Sequence, residues 1–376
     1  SKLLIVVSSR RVLIPAVIVL VLASLVSLAC GGSATQSSSS TTAAGGSATT
    51  LPPVTNTPEQ RRPQSAGHDP VAIESFNLNA SKTQGTPVMQ ADYPDPFATV
   101  VGSAVYVYSS NVTGAHVPVG MGSSGTTGDY LGDAMPNLAS WTAPNAQVWA
   151  PSVWQGPNGT FVMYYAATEK SSGRMCVSRA VSTDPAGPFV DELGSALICP
   201  LSMGGAIDPS FTMVNGNLWL VYKVDGNCCQ LPTSIWSQQL SSDGRSLVGS
   251  PTKLFQQDQA WEGSVVEAPS VQQQGGKIIV FYSGNDWDSP NYAIGYAVCD
   301  SITGPCIKPL TQAWHAATSD AVGVGGQEFI DFGGVTTIVY HGWLPGQVNP
   351  FVSERNLYFS VVTWNGATPT FVGYSN

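Results

Sequence analysis

The sequence predicts an all-β protein, a five-bladed β-propeller that follows a signal peptide and a disordered linker. The main observation is a short pattern that recurs at steps of about 55 to 60 residues, and a period of this size indicates a repeat architecture. Each copy places two apolar runs around a tight Asn-Gly or Gly-Gly turn, which predicts a pair of antiparallel strands. The rest of each repeat has room for two more strands, and four strands per repeat is typical of a propeller blade.

The repeats begin with a small or acidic residue before a proline in four of the five copies. These starts are Asp95-Pro96-Phe97, Ala150-Pro151-Ser152, Asp208-Pro209-Ser210 and Ala268-Pro269-Ser270. The fifth copy is degraded, because Gln327-Glu328-Phe329 has no proline, but a Gly-Gly turn and an apolar run ending at His341 follow it. The repeat region, residues 86–376, is therefore the predicted propeller domain.

Composition agrees with this fold and narrows the class of partner. Charged residues are 10% of the 376 residues, while Gly and Pro number 39 and 27, and such a composition suits short strands and loops. The formal net charge of −9 leaves no basic stripe for phosphates, which excludes a nucleic-acid partner. We expect a monomer whose partner is an oligosaccharide or polysaccharide.

The first 85 residues are predicted to be a targeting segment and a spacer. Within residues 1–30, Lys2, Arg10 and Arg11 precede an apolar run that ends at Cys30, as in a signal peptide. Because Cys30 follows Ser-Leu-Ala, the segment resembles a bacterial lipoprotein signal with Cys30 lipidated; a cleaved signal and an uncleaved anchor are the alternatives. Residues 31–85 are rich in Ser, Thr, Gly and Pro and predict a disordered linker. The expected location is extracytoplasmic, secreted or held at the cell surface by the lipid alone.

Cysteine usage predicts disulfides. Of seven cysteines, six remain beyond Cys30, and an even number in an oxidising compartment favours pairing. Cys299–Cys306 would close a predicted hairpin turn, Cys176–Cys199 would join segments about one strand pair apart, and Cys228–Cys229 would then be a vicinal bridge. A metal site made by these cysteines is not predicted, because no Cys-x-x-Cys pair or nearby histidine completes a four-ligand set.

Carboxylates stand at matched positions of the repeats. Innermost strands line the channel of a propeller, so we expect Asp95, Asp208 and Glu267, from repeats one, three and four, to meet at one mouth. A single Asp-Pro is explained by a turn in which the carboxylate binds loop N–H groups, but three carboxylates at matched positions indicate a site. Glycoside hydrolysis needs such a set: a protonated acid for the leaving oxygen and a carboxylate that activates water.

The motifs around these carboxylates resemble those of glycoside hydrolase family 43. They are Tyr93 to Phe97, Trp149 to Val153, Ile207 to Phe211, Tyr222 to Asn227 and Val266 to Val271. The resemblance implies a five-bladed propeller and an inverting glycosidase acting on arabinose- or xylose-containing glycans. It makes Asp95 the general base, Asp208 the residue that orients the site and tunes the pKa of the acid, and Glu267 the general acid. Asp92 and Glu262 are neighbouring contenders for these roles.

Four further residues are candidates for substrate binding. The resemblance implies that Arg355 orients an acidic residue of the site. His341 is either a pocket residue or a strand-end histidine bonded to backbone. Trp149 and Trp343 offer ring faces on which a sugar would stack, although buried aromatic residues of a propeller usually belong to its core.

The resemblance also bears on metal content. Members of the family often carry Gly-x-Gly-His beside a central calcium, whereas this chain has Gly323-Val324-Gly325-Gly326. Gly326 therefore stands where the histidine would be, and this argues against a central calcium. No cofactor is expected to be required, and Gln327 or Glu328 are the residues that would compensate.

Several functions are compatible with these residues. We expect an exo-acting α-L-arabinofuranosidase or β-xylosidase, with endo-arabinanase as the alternative, because exo or endo action depends on loops that close the channel. A glycan-binding propeller without catalysis is a further alternative, favoured by the missing histidine and opposed by the three retained carboxylates. A purely structural propeller would need none of them. For inversion, Asp95 and Glu267 are expected to be ~6.5–9.5 Å apart.

Overall fold

The computed structural model describes residues 87–88, 91–122, 128–332 and 334–372. The predicted signal peptide with Cys30, and the predicted linker of residues 31–85, lie outside the described residues. Within the described part, no helix is long and apolar enough to cross a membrane.

The described strands form five antiparallel sheets, which are the five blades of a β-propeller. Blade one contains β1 (Phe97–Val101), β2 (Ala104–Tyr108), β3 (Pro118–Gly122) and β4 (Asp129–Asp133), and blade two contains β5 (Val148–Gln155), β6 (Phe161–Thr168) and β7 (Met175–Ser182). Blade three contains β8 (Ala206–Val214), β9 (Asn217–Val224), β10 (Ser234–Leu240) and β11 (Leu247–Gln256). Blade four contains β12 (Val266–Gln274), β13 (Lys277–Gly284), β14 (Ala293–Cys299) and β15 (Cys306–Ile307), and blade five contains β16 (Val322–Phe332), β17 (Val335–Trp343), β18 (Asn356–Asn365) and β19 (Thr368–Phe371). Short 3-10 helices span Leu201–Met203, Gly226–Cys229 and Ala260–Glu262.

Each blade packs its two apolar faces against its neighbours. The middle strand β6 is buried along almost its whole length, as expected for a strand covered on both faces. Separate apolar clusters fill the spaces between successive blades. The ring closes where Val105 and Val107 of blade one pack against Val339 and Leu357 of blade five, and β1 contacts β16 there.

Blade two differs from the predicted four strands, because its sheet has three. The outer position is held only by single bridges from Val190 to Val181 and from Ile198 to Val177. The segment between them and β7 contains Pro185 and Pro188, which lack the N–H group that a continuous ladder needs.

All three predicted disulfides are present. Cys176–Cys199 ties the outer segment of blade two to β7, Cys228–Cys229 is vicinal, and Cys299–Cys306 joins β14 to β15. Two of the bridges therefore secure the outer edges of blades.

Candidate active site

The innermost strands share a backbone feature near the axis of the propeller. One residue per blade has a positive φ: Asp95 (+48°), Ala150 (+45°), Asp208 (+52°), Ala268 (+48°) and Gly326 (+60°). Positive φ is uncommon outside glycine, and such strain is concentrated at functional sites. The strand register shifts at the same place in blades two, three and four. These shifts are β-bulges, which redirect side chains toward the axis.

A cavity of about 30 Å³ lies on the axis and is lined by residues of all five blades. Asp95 and Asp208 lie in its wall, together with Ala150, Ala268 and Gly326. The cavity has room for a water molecule or two, so the central channel is narrow at this point.

Side chains of non-adjacent blades meet across the axis. The rings of Phe97 and Phe211, from blades one and three, have centroids 5.9 Å apart. Ser210 Oγ of blade three donates a 2.6 Å hydrogen bond to Glu328 Oε2 of blade five. The backbone N–H of Phe329 donates to Glu328 Oε1 at 3.0 Å. These contacts close the channel on the axis.

Asp95 is held by residues from blades one and five. Ser110 Oγ donates to Asp95 Oδ2 at 2.5 Å and accepts from the N–H of Ala150 at 2.8 Å. The N–H of Asp95 donates to His341 Nδ1 at 3.0 Å, which makes this nitrogen the unprotonated one. Arg355 Nη1 lies 3.6 Å from Asp95 Oδ1. A hydroxyl donor and a nearby guanidinium stabilise a carboxylate, the form that a general base requires.

Glu267 has polar partners on both carboxylate oxygens. Lys223 Nζ donates to its Oε2 at 2.8 Å, and the Tyr292 hydroxyl donates to its Oε1 at 2.7 Å. Lys223 also lies 3.2 Å from Asp225 Oδ1. The residues next to Glu267 in the chain are apolar, which predicts an apolar surrounding for its side chain. The structure differs because the bulge before Ser270 aims this side chain at the buried polar groups of blades three and four.

Asp208 connects the two other carboxylates electrostatically. Its Oδ2 accepts a 2.8 Å hydrogen bond from the N–H of Ala268. Burial raises the pKa of Asp208 well above its usual range, the negative charges of Glu267 and Asp95 raise it further, and Lys223 opposes them. Burial and the same carboxylates also raise the pKa of Tyr292, so this hydroxyl stays protonated and remains a donor.

Of the four substrate-binding candidates, two lie beside Asp95 and two are buried tryptophans. Arg355 is near Asp95, and its guanidinium carbon lies 4.5 Å from the centroid of the Trp287 ring. His341 is fully buried and bonded to the backbone of Asp95. Trp149 is 3% exposed, and Trp343 is 1% exposed and stacked on Trp287. The position of these two tryptophans favours packing rather than contact with a sugar.

The two contenders lie in supporting positions. Asp92 Oδ1 accepts from the N–H of Arg355 at 3.1 Å and so helps to hold the tail beside Asp95. Glu262 is fully buried and accepts from Tyr282 OH and Lys308 Nζ, each at 2.7 Å. Glu262 therefore anchors the loop before β12.

Sequence reasoning missed the partners that organise the carboxylates. Ser110, Lys223 and Tyr292 were not candidates, and Glu328 was named only as a possible replacement for the histidine. One signal was available: Lys223 is the single charge in the apolar run of β9, and lysine is almost never fully buried unless it is paired.

Gly326, which stands where the family histidine would be, lies close to the ring of His341. A Cβ at Gly326 would lie 2.6 Å from Cε1 and Nδ1 of His341, so a histidine at this position requires the site to shift. Calcium takes about six to eight oxygen ligands. The described residues contain no group of three His, Cys, Asp or Glu side chains that could hold a metal ion.

Comparison with known proteins identifies the family. The model of Glycosyl hydrolases family 43 matches residues 84–369, and the chain belongs to this family. A solved structure of a thermostable family-43 glycoside hydrolase matches with a TM-score of 0.63 and 23% identity, covering 77% of this chain and 96% of that one. This likeness shows that the fold is shared.

Two curated relatives differ in the activity that they are named for. An extracellular endo-α-(1→5)-L-arabinanase of Thermotoga petrophila is 25% identical over 240 residues, 53% of this chain and 50% of that protein. An extracellular exo-α-(1→5)-L-arabinofuranosidase of Streptomyces avermitilis is 28% identical over 171 residues, 43% of this chain and 34% of that protein. The chain thus matches half or less of the length of each of these relatives.

Proposed function

We propose that this protein is a glycosidase that hydrolyses arabinose-containing glycans with inversion. The observation that carries the proposal is the interaction of three carboxyl groups at the axis, in which Glu267 and Asp95 both raise the pKa of Asp208. Interacting carboxyl groups in a partly closed site are the arrangement that separates an acid from a base. The names of the relatives, one an arabinanase and one an arabinofuranosidase, support the substrate class.

In the proposed reaction, Asp95 is the general base. It removes a proton from a water molecule that attacks the anomeric carbon, and the bond to the leaving oxygen breaks as Glu267 gives that oxygen a proton. Ser110 and Arg355 hold Asp95 as a carboxylate. His341 fixes the backbone of Asp95, so it is a positioning residue.

The negative charge of Asp208 helps Glu267, the proposed general acid, to keep its proton. Two carboxylates that repel each other keep a proton to higher pH than an isolated carboxyl group does, and the pair titrates as a unit. Lys223 favours the ionised form of Glu267, while Asp208 opposes it. Release of the proton to the leaving oxygen leaves Glu267 as a carboxylate that Lys223 and Tyr292 already contact.

We propose exo action, either as an α-L-arabinofuranosidase or as a β-xylosidase. Endo-arabinanase action is the alternative, since relatives of both arabinan-cleaving kinds match. We further propose that hydrolysis needs no metal, because Gly326 replaces the ligand that the family would supply. Activity that is unchanged after chelation with EDTA is the expected result.

We infer an extracytoplasmic location. Three disulfides form in oxidising compartments, and both arabinan-cleaving relatives are named extracellular. Lipidation of Cys30, attachment to a membrane by that lipid alone, and the monomeric state stay predictions.

The test compares the purified full chain with Asp95→Asn and Glu267→Gln on aryl α-L-arabinofuranoside, aryl β-xyloside and arabinan. Each variant is expected to lose at least about 10²-fold in kcat, the usual contribution of a general acid or base. Asp300→Asn is the control, because it changes an exposed carboxylate in the loop after β14, outside the proposed reaction. Folded protein that binds arabinan and hydrolyses none of the three substrates would instead indicate a binding module.

A further inference from the structure

Tyr292 contacts both the proposed acid and the residue that holds the proposed base. It is buried directly before β14, and its hydroxyl donates to Glu267 Oε1 at 2.7 Å. Its ring stacks on the ring of His341, with the centroids 5.8 Å apart and the planes inclined by 8°. His341 Nδ1 in turn accepts a 3.0 Å hydrogen bond from the N–H of Asp95. One pair of stacked rings therefore connects Glu267 with the backbone of Asp95.

Two glycines of β16 leave room for these rings. A Cβ at Gly325 would lie 2.1 Å from Cε1 of Tyr292, and a Cβ at Gly326 would lie 2.6 Å from Cε1 and Nδ1 of His341. Gly325 lies outside the left-handed region, so its backbone conformation does not require glycine. The close approach of the Tyr292 ring explains the glycine at this position.

Other aromatic residues enclose the stack. Tyr292 belongs to a buried cluster with Trp287 and Trp343, whose own rings stack with centroids 6.4 Å apart. The guanidinium of Arg355, which lies near Asp95, is placed over the Trp287 ring. Close packing on several sides restricts the positions open to a buried ring, so the cluster holds Tyr292 in place.

The charges around the Tyr292 hydroxyl keep it a hydrogen-bond donor. The charged and titratable groups that face it, Glu267 or the stacked His341 are Asp95, Asp208, Lys223, Asp288 and Arg355. Burial raises the pKa of Tyr292, and the nearby carboxylates raise it further. A donor that stays protonated favours the ionised form of the carboxyl group that it contacts.

We propose that Tyr292 is a positioning residue of the hydrolysis, and that its stack on His341 fixes the proposed acid relative to the proposed base. The proposal rests on the glycosidase function above. Inversion requires two carboxyl groups held ~6.5–9.5 Å apart, so that a water molecule fits on one face of the sugar. Because Tyr292 acts through Glu267 and His341, loss of its hydroxyl and displacement of its ring should have different effects.

Tyr292→Phe removes the hydroxyl and keeps the ring. The alkaline limb of kcat/KM should move to higher pH by about one unit, the equivalent of one hydrogen bond to a charged group. The acidic limb, which reports the ionisation of Asp95, should stay in place because the stack on His341 remains. The matched control is Tyr165→Phe, which removes a hydroxyl that donates to the buried Asp191 at 2.7 Å in blade two and should move neither limb.

Gly325→Ala keeps the hydroxyl and displaces the ring. Because the acid and the base then change their relative position, kcat should fall about tenfold to a hundredfold, with a much smaller change in KM. Gly194→Ala is the control, since its added Cβ meets no atom within 4 Å. Full activity in Gly325→Ala, or an unmoved alkaline limb in Tyr292→Phe, overturns the positioning role. If Gly325→Ala does not fold, the limb in Tyr292→Phe decides alone.

A titration that does not depend on turnover separates this proposal from the proposed function. Glutamate labelled at its carboxyl carbon is followed by NMR across pH in the full chain and in Tyr292→Phe, with Glu267→Gln identifying the Glu267 signal. A higher midpoint for Glu267 in Tyr292→Phe supports the role, and an equal midpoint overturns it. A raised midpoint in a protein that hydrolyses no glycan would overturn the glycosidase function and leave the control of Glu267 by Tyr292 standing.

Discussion

Lys223 illustrates how one residue organises the proposed acid. Its ammonium group is fully buried and lies 2.8 Å from Glu267 and 3.2 Å from Asp225. Burying a cation is costly unless partners offset the lost hydration. Its place inside an apolar strand is therefore explained by the carboxylates that it contacts, and not by the stability of β9.

Lys223→Met should change both stability and the pH profile. Removing one partner of a buried ion pair costs about 3–5 kcal/mol of unfolding free energy. Lys223 lowers the pKa of Asp208, which titrates together with Glu267. Loss of the cation should therefore raise the pKa of this pair of carboxyl groups. The alkaline limb of kcat/KM is then expected to move to higher pH. Lys277→Met, at an exposed pair with Asp300, is the control, and an unmoved limb would assign Lys223 to packing alone.

Glu328 is a residue whose effect depends on pH. Burial raises its pKa from 4.5 to about 7, and its hydrogen bonds from Ser210 and the Phe329 N–H act in the opposite direction. The folded state therefore binds a proton that the unfolded state has released between about pH 4.5 and about pH 7. Stability supplied by this group is complete below about pH 4.5 and is lost as pH rises through about pH 7.

Glu328→Gln should remove this dependence, because the amide stays neutral. A difference of about 2.5 pKa units corresponds to roughly 3 kcal/mol, which is the expected contribution to the decline in wild-type unfolding free energy. Urea unfolding at about pH 5 and about pH 8 measures the decline. If the unfolding free energies of wild type and variant decline equally between the two pH values, ionisation of Glu328 does not cause the decline.

In blade two, a disulfide lies where the other blades have a fourth strand. Its outer position has single bridges instead of a fourth strand, and Cys176–Cys199 joins that segment to β7. The two cysteines are separated by 23 residues. The crosslink therefore restricts a sizeable loop in the unfolded chain.

Replacing Cys176 and Cys199 together by alanine should cost about 3 kcal/mol of unfolding free energy in the loop-entropy treatment. The matched pair Cys299 and Cys306 encloses a separation of 7 residues, so its loss should cost about 2 kcal/mol. Calorimetry of both double variants gives the comparison. A blade-two variant as stable as wild type would show that the bridges of Val190 and Ile198 suffice.

Closure of the ring of five blades brings the residues of the proposed active site together. Contacts between β1 and β16 close the propeller, and this brings Asp95 of the first blade beside His341 and Arg355 of the last. The proposed site thus depends on closure, because Asp95 and His341 are 246 residues apart in the chain. A single blade cannot assemble it.

The sequence was sufficient for the blades and for the positions of Asp95 and Asp208, because repeat spacing and the Asp-Pro starts are local patterns. It did not show that Lys223 and Tyr292 surround Glu267. That arrangement depends on bulges that turn the strand by one residue, and a bulge leaves no clear sequence signal. The contact of Glu328 with Ser210 was also hidden, since it joins blades that are not adjacent. The only sequence indication that the outer strand of blade two is interrupted is the pair Pro185 and Pro188.

The configuration of the first sugar released shows whether hydrolysis inverts the anomeric carbon. Proton NMR spectra recorded within the first moments of hydrolysis distinguish the anomers before they equilibrate. With an α-L-arabinofuranoside, water activated by Asp95 attacks the face opposite the leaving group, so β-L-arabinofuranose should appear first. Initial release of the α-anomer would contradict the account, because it requires a covalent intermediate and a different role for Asp95.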